Sequence, residues 1–447
     1  MPALQYGLSS YERAEGDIPG LPVVNMYVEE TASEGVVLQS RRGLVDRGEV
    51  MGSGPVKALF KRDGVVSGAL LGVSGSSLYS GTTSVGAVTG SGAVSIAGNE
   101  TGALICAGGS LHSWNGATFG TVTLPDDFDA IKVVEGASRF VVIRGNSGRF
   151  YFTPPLQQTF DALDFATAES EADQLLDALF LDDILILFGK ETVEFWPNTT
   201  DNNLPFQALE GRVIDRGIRA TGCATTLGSA FAWVTNQNTI CLQDENNIIS
   251  NPGLQERIAA STSVRLFNFF IDGTEFLALR MDDETQVYNL RKGAWSKFET
   301  FGGNWAATCH AGGVFGAADG KTLAFGDGYE ELGGVLERRF RAGLPINGGG
   351  IDIYNLRLRV NPGQTGSLAG IYADPVIEMR LSPDAGQTWG VWKSAQLGMQ
   401  GEYRKRVEWR ALGIASRPAF LAEVRLSDPV PLRVSGVFVN EPFGGRV

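Results

Sequence analysis

A pair of short apolar runs joined by a tight turn recurs along most of this chain, and that recurrence limits the folds open to it. In Leu185 to Thr199, LILFGKETVEFWPNT, the run LILF meets the turn GK, and TVEFW alternates until Pro197 stops it. This is the period and punctuation of a β-hairpin. Further copies begin at Ala69, Ala103, Phe140 and Phe231, with looser ones at Phe276 and Val314. The turn centres fall near residues 75, 109, 146, 189, 237, 283 and 319, which are 34 to 48 residues apart. That spacing suits a four-stranded blade with variable outer loops, so seven hairpins predict an all-β fold built on a six- or seven-bladed β-propeller. A large β-sandwich or β-solenoid with coincidental spacing is the alternative. An isolated hairpin is marginally stable in water, whereas a ring of blades gives each sheet two apolar neighbours and protects its edges.

The chain has 447 residues, more than one hydrophobic core usually serves, so two domains plus extensions are expected. Its 58 glycines fit an all-β class rich in tight turns. The one helical candidate is DFATAESEADQLLDALF, Asp164 to Phe180, where Leu175, Leu176, Leu179 and Phe180 follow helical spacing. Its carboxylates Glu169, Glu171 and Asp173 read as a solvated face. No apolar run reaches membrane-spanning length, and the N-terminus lacks the basic-then-apolar order of a signal peptide. The expectation is a soluble protein made in a cytoplasm.

Residues 1–55 lack the hairpin grammar and read as an extended arm that packs on neighbours, with Pro19 and Pro22 favouring extended backbone. Residues 56–334 are assigned to the propeller. After the glycines at 348 to 350, IDIYNLRLRV alternates like a half-buried strand, and PVIEMRLS, KRVEWRALG, FLAEVRLSD and LRVSGVFVN follow. Residues 335–447 are therefore assigned to a C-terminal β-sandwich. Charge divides at the same place. Residues 335–447 carry 15 Lys and Arg against 10 Asp and Glu, whereas residues 1–334 carry 22 against 40. Acidity over most of the chain disfavours tight general DNA binding; it suits a lumen through which DNA slides without sticking, and equally it suits ordinary solubility.

No residue set points to catalysis. Cys106, Cys223, Cys241 and Cys309 stand singly, as buried thiols do, and His112 and His310 are the sole histidines. Cys309 and His310 are adjacent on a strand, so their side chains point to opposite faces. Acidic pairs such as Glu191 with Glu194, or Glu330 with Glu331, arise freely among 50 carboxylates. There is no G-x-S-x-G elbow, Walker loop or H-E-x-x-H. No catalytic, metal or cofactor-binding residue is assigned, and no cofactor is expected. The segment Ser382 to Trp389 matches the S-x-D-x-G-x-T-W pattern known as an Asp box, in which Asp384 accepts turn hydrogen bonds, Gly386 permits positive φ and Trp389 packs beneath. It marks a hairpin. The basic cluster Arg404, Lys405 and Arg406 is the best partner-binding candidate, because strand alternation would put Arg404 and Arg406 on one face; the alternative is a solvated strand edge that the same charges protect from aggregation.

Three blocks carry a family resemblance: SSYERAEGDIPGLPVVNMYVEE followed by LQSRRGL, the segment Leu187 to Ile218, and the C-terminal domain. Together they resemble the tail hub proteins of short-tailed bacteriophages, also called packaged-DNA stabilisation proteins. The resemblance implies a virion component forming a ring, expected to be a hexamer, below the portal and its adaptor protein. It implies partners: a tail plug or needle, tail fibres or spikes, and double-stranded DNA passing through the lumen without sequence-specific binding. Tyr11, Arg13, Arg41 and Arg42 in the first block, with Arg404 to Arg406, are the candidate subunit or partner contacts. The competing functional reading is a propeller that binds or hydrolyses glycans of a host surface.

Overall fold

The computed structural model describes residues 4–7, 9–10, 20–31, 35–88, 92–168, 173–199, 201–202, 204–346, 348–366, 368, 370–415 and 417–440. Seven four-stranded antiparallel units follow one another along it. Six are contiguous meanders, beginning at Val56, Val94, Ala130, Leu175, Ala224 and Arg265. The seventh joins Cys309–Ala311, Val314–Gly316 and Lys321–Phe325 to the distant strand Leu44–Val50. Innermost strands of successive units lie side by side, and Cys309–Ala311 comes back against Val56–Phe60, so the units close a ring. This is the propeller expected from the hairpin period.

Apolar clusters between neighbouring sheets hold the ring together. Phe140 and Tyr151 pack against Leu104 between the second and third units. Phe150 and Phe152 face Leu185, Leu187 and Trp196 between the third and fourth. Between the sixth and seventh, Phe267, Phe269, Phe298, Trp305 and Phe315 form one aromatic block. Burying each such ring contributes roughly 1.5–3 kcal/mol.

Ring closure between the seventh and first units relies on close backbone approach. A Cβ on Gly316 would sit 2.6 Å from Val56, and one on Gly320, whose φ is +85°, would sit 2.0 Å from the Gly52 carbonyl oxygen. Gly320→Ala therefore meets both a left-handed backbone penalty and a backbone clash, and should cost about 3 kcal/mol or more. An unchanged midpoint of thermal unfolding would show that closure does not depend on this approach.

The expected helix at Asp164–Phe180 is not formed. Phe165–Thr167 is the outer strand of the third unit and Leu175–Leu181 the inner strand of the fourth; Glu169 and Glu171 lie outside the described residues. An inner strand touches a neighbouring sheet on each side. Leu175 and Ala178 face the third unit, whereas Leu176, Leu179 and Leu181 pack on the fifth-unit side, so apolar residues fill both faces and mimic a helical pattern. Asp173 accepts the N–H groups of Lys190, Glu191 and Thr192 at 2.8–3.0 Å. The α-helix found among the described residues is Pro252–Ala260, where Asn251 caps the Leu254 N–H at 2.9 Å and Leu254 and Ile258 are buried.

The β-sandwich is built from both ends of the chain. One face joins Arg338–Pro345, Ala419–Leu426, Val376–Ser382 and Lys393–Gln396; the other joins the N-terminal hairpin Met26–Thr31/Gly35–Ser40 to Arg433–Val439, Ile351–Val360 and Val407–Ala415. Leu4, Val23, Met26, Val28 and Leu38 are buried in its core beside Phe340, Leu356 and Trp409. The described part of the 1–55 segment thus packs on its own chain. Val24 pairs in parallel with Lys297 of the sixth unit, and Val23 and Val24 pair antiparallel with Phe340 and Arg339, which fuses propeller and sandwich into one eleven-stranded sheet.

The four cysteines are buried and unpaired. Burial pushes the Cys106 and Cys223 thiols up to about 12, so neither is a nucleophile near neutrality. His310 packs on Phe315 with ring centroids 4.8 Å apart, and its Nε2 accepts the Gly313 N–H at 3.2 Å. Burial lowers its pKa to about 4. The unfolded chain takes up this proton near pH 6.5 while the folded chain resists until about 4, so stability falls as pH drops through that window. The loss should reach about 3 kcal/mol. Urea titrations of wild type and His310→Phe at pH 7 and pH 4.5 check this; an equal loss in both would exclude His310 as its source.

Candidate functional site

Candidate contact residues divide sharply by location. Tyr11 and Arg13 lie outside the described residues. Arg41 has a fully buried side chain, so it is an internal clamp and not a contact offered to a partner. Its Nη atoms grip Glu331 at 2.8 and 3.0 Å, Nη2 also reaches the Glu299 carbonyl at 2.9 Å, and Nη1 the Arg42 carbonyl at 3.0 Å. Nε donates to Asn25 Oδ1 at 2.9 Å, so every N–H of the guanidinium has an acceptor. Glu331 in turn accepts from Leu44 N–H at 2.9 Å and the Thr300 hydroxyl at 2.6 Å. Asn25 sits at φ 54° where the chain passes from one sheet to another. Arg42 is exposed and lies 3.5 Å from Asp327.

Arg404, Lys405 and Arg406 lie in a turn, and the strand begins after them at Val407. Positive φ at Gly398 and Gly401 bends the chain here, and Glu402 accepts the Met399 N–H at 2.9 Å, which breaks the expected alternation. Lys405 binds Glu402 at 3.1 Å and lies 3.8 Å from Asp374, while Arg404 and Arg406 are exposed on the turn.

The segment Ser382–Trp389 caps the hairpin of Val376–Ser382 and Lys393–Gln396. Asp384 accepts the Thr388 N–H at 2.9 Å and the Thr388 hydroxyl at 2.6 Å, and the Ser382 hydroxyl accepts the Gly386 N–H at 2.7 Å. The Thr388 hydroxyl and N–H, with the Ser382 hydroxyl donating to Asp384 at 2.8 Å, hold the Asp384 carboxyl below the usual carboxylate range. Gly386 has φ +92°. Trp389 stacks on Arg341 and Arg380, at 4.9 and 4.8 Å, instead of filling an apolar hole.

That contact opens onto a surface missed in the sequence. Trp392 stacks on Arg380 at 4.7 Å and Arg425 at 4.0 Å. Beneath them the buried Glu423 carboxylate takes Arg380 Nε at 2.6 Å, with Arg341 and Arg339 at 3.4 and 3.7 Å. Arg339, Arg341, Arg380 and Arg425 remain about a quarter to a third exposed on one sheet face. The signal was present as alternation in RRFR, EMRL and EVRL, three strands that pair side by side. The face is aromatic and rich in guanidinium groups, which are themselves held by Glu423, Glu378 and Glu337, with Arg425 Nε 2.8 Å from Glu378 and Arg339 3.5 Å from Glu337.

No group of three or more His, Cys, Asp and Glu able to hold a metal occurs among the described residues. Nor is any of their helices long and apolar enough to cross a membrane.

No curated protein sequence matches the chain. Among solved structures, BBS1N in complex with ARL6DN is similar at a TM-score of 0.43 and 12% identity, covering 64% of this chain and 98% of that one. Sqt1 of Saccharomyces cerevisiae matches at 0.41 and 11%, covering 64% and 99%. The Cps50 (Swd1) beta-propeller domain of Myceliophteria thermophila matches at 0.40 and 10%, covering 63% and 99%. Likeness of that level says nothing of function. Family models are more informative. One described as Bacteriophage P22 Gp10, beta-propeller, matches residues 10–339, and one described as Bacteriophage P22 Gp10, beta-sandwich, matches residues 340–441. With a propeller and a sandwich matched in the same order, the chain belongs to the bacteriophage P22 Gp10 family of phage tail hub proteins.

Proposed function

We propose that this chain is the repeating subunit of a hexameric ring below the portal and its adaptor, where it continues the DNA channel, retains the packaged genome and docks the plug or needle and the fibres or spikes. The observation that carries this reading is the pair of family matches running almost end to end. The action is steric: ring contacts narrow a tube, the next tail protein blocks it, and adsorption releases the block. A closed ring needs heterologous contacts, in which one patch meets a different patch on the next subunit. The arginine face around Trp389 and Trp392 would meet the acidic propeller of the adjacent copy, with the exposed Arg42, Arg404 and Arg406 as further contacts. Assembly takes place in the host bacterial cytoplasm, and the finished protein resides in the virion tail. The acidic balance of residues 1–334 lets DNA pass without adhering. The test adds purified chain to DNA-filled heads that lack it. Retention of DNA is expected, and continued leakage would remove the stabilising role.

A further inference from the structure

The axis of the propeller holds a cavity of about 430 Å³ walled by the inner strands. That volume lies within the range of small-ligand sites. Near the starts of three consecutive inner strands, Arg265, Thr308 and Lys57 line it side by side. Two other basic residues on the wall are neutralised: Lys132 lies 2.5 Å from the buried Asp177, and Arg62 pairs with Glu135. Arg265 and Lys57 are half-buried, and neither side chain has a hydrogen-bond or ion-pair partner among the described residues. Directly across the ladder from Arg265 stands Arg280, a second cation, whose Nη1 is taken up by the Trp305 and Ala307 carbonyls at 2.6 and 2.8 Å. Like charges directly opposite on paired strands destabilise a sheet. Burial, with Arg265 nearby, pulls the Arg280 guanidinium below its ordinary value.

An acidic protein that gathers positive charge without a carboxylate partner in a recess on its axis creates a local attractive potential for anions. A guanidinium fork and an ammonium together match the geometry and charge of a tetrahedral oxyanion. We propose that Arg265 and Lys57 form an anion site inside the propeller, selective for small oxyanions of the phosphate class. The site lies within one subunit and is independent of the ring proposed above.

Calorimetric titration of the full chain with inorganic phosphate, at fixed ionic strength and with chloride as reference, tests this. Saturable phosphate binding is expected, weakened at least tenfold by Arg265→Gln combined with Lys57→Gln and unchanged by Lys190→Gln, which removes the same charge from an exposed position outside the cavity. No saturable binding to the wild type, or equal binding by the double variant, would overturn the proposal. If the double variant fails to fold, Arg265→Lys keeps the charge but loses the fork. Its affinity should be measurably reduced, and wild-type affinity there would also overturn the assignment.

Discussion

A chain lacking residues 1–51 should fail to fold in either domain. The deletion removes Leu4, Val23, Met26, Val28 and Leu38 from the sandwich core. At roughly 1.5–3 kcal/mol each, their loss is on the order of 10 kcal/mol, comparable to the whole stability of a typical domain. It also strips Leu44–Val50 from the seventh propeller unit, leaving Lys321–Phe325 as an unpaired edge open to aggregation. Insoluble expression is expected, with partial rescue when residues 1–51 are supplied as a separate peptide. A soluble 52–447 fragment that melts cooperatively would refute this dependence of both domains on the N-terminal segment.

Arg41→Ala should be the most damaging single polar substitution. It leaves the Glu331 carboxylate buried and short of its counter-charge, a situation that typically costs about 3–5 kcal/mol. It also frees Asn25 Oδ1 and the Glu299 carbonyl from their guanidinium donor at the seam between propeller and sandwich. Because Arg41 and Glu331 act as a unit, Arg41→Met combined with Glu331→Leu should cost less than the two single substitutions added together. A urea double-mutant cycle gives the comparison. Strict additivity, or a cost below about 1 kcal/mol for Arg41→Ala, would show that the buried pair is not a structural clamp.

What could be read in the sequence follows from which interactions are local. The hairpins were legible because an apolar run, a turn and a second run lie close together along the chain. The sandwich strands after Gly334 were legible by alternation. The strand Leu44–Val50 was not, since its partner is Lys321–Phe325 and no local pattern announces a pairing across that distance. Leu175–Leu181 was misread because a strand buried on both faces loses its period of two. Asn251-Pro252 before Leu254 was a usable helix start that went unread. Among candidate contacts, Arg41 looked like its neighbour Arg42, and the chain alone gave no sign that Glu331 was waiting for one of them. The arginine face had a signal in three strands, yet recognising it required knowing that those strands are adjacent.

The short parallel strand Val23–Val24 has a mechanical consequence. Sharing one sheet between propeller and sandwich removes the hinge that two domains on a linker would possess. A subunit built this way moves as a single body, so in the ring proposed above the tail would open by sliding or tilting of whole copies against one another. Pulling one molecule from its two ends in a force measurement should accordingly begin with rupture of this shared seam, before either half yields.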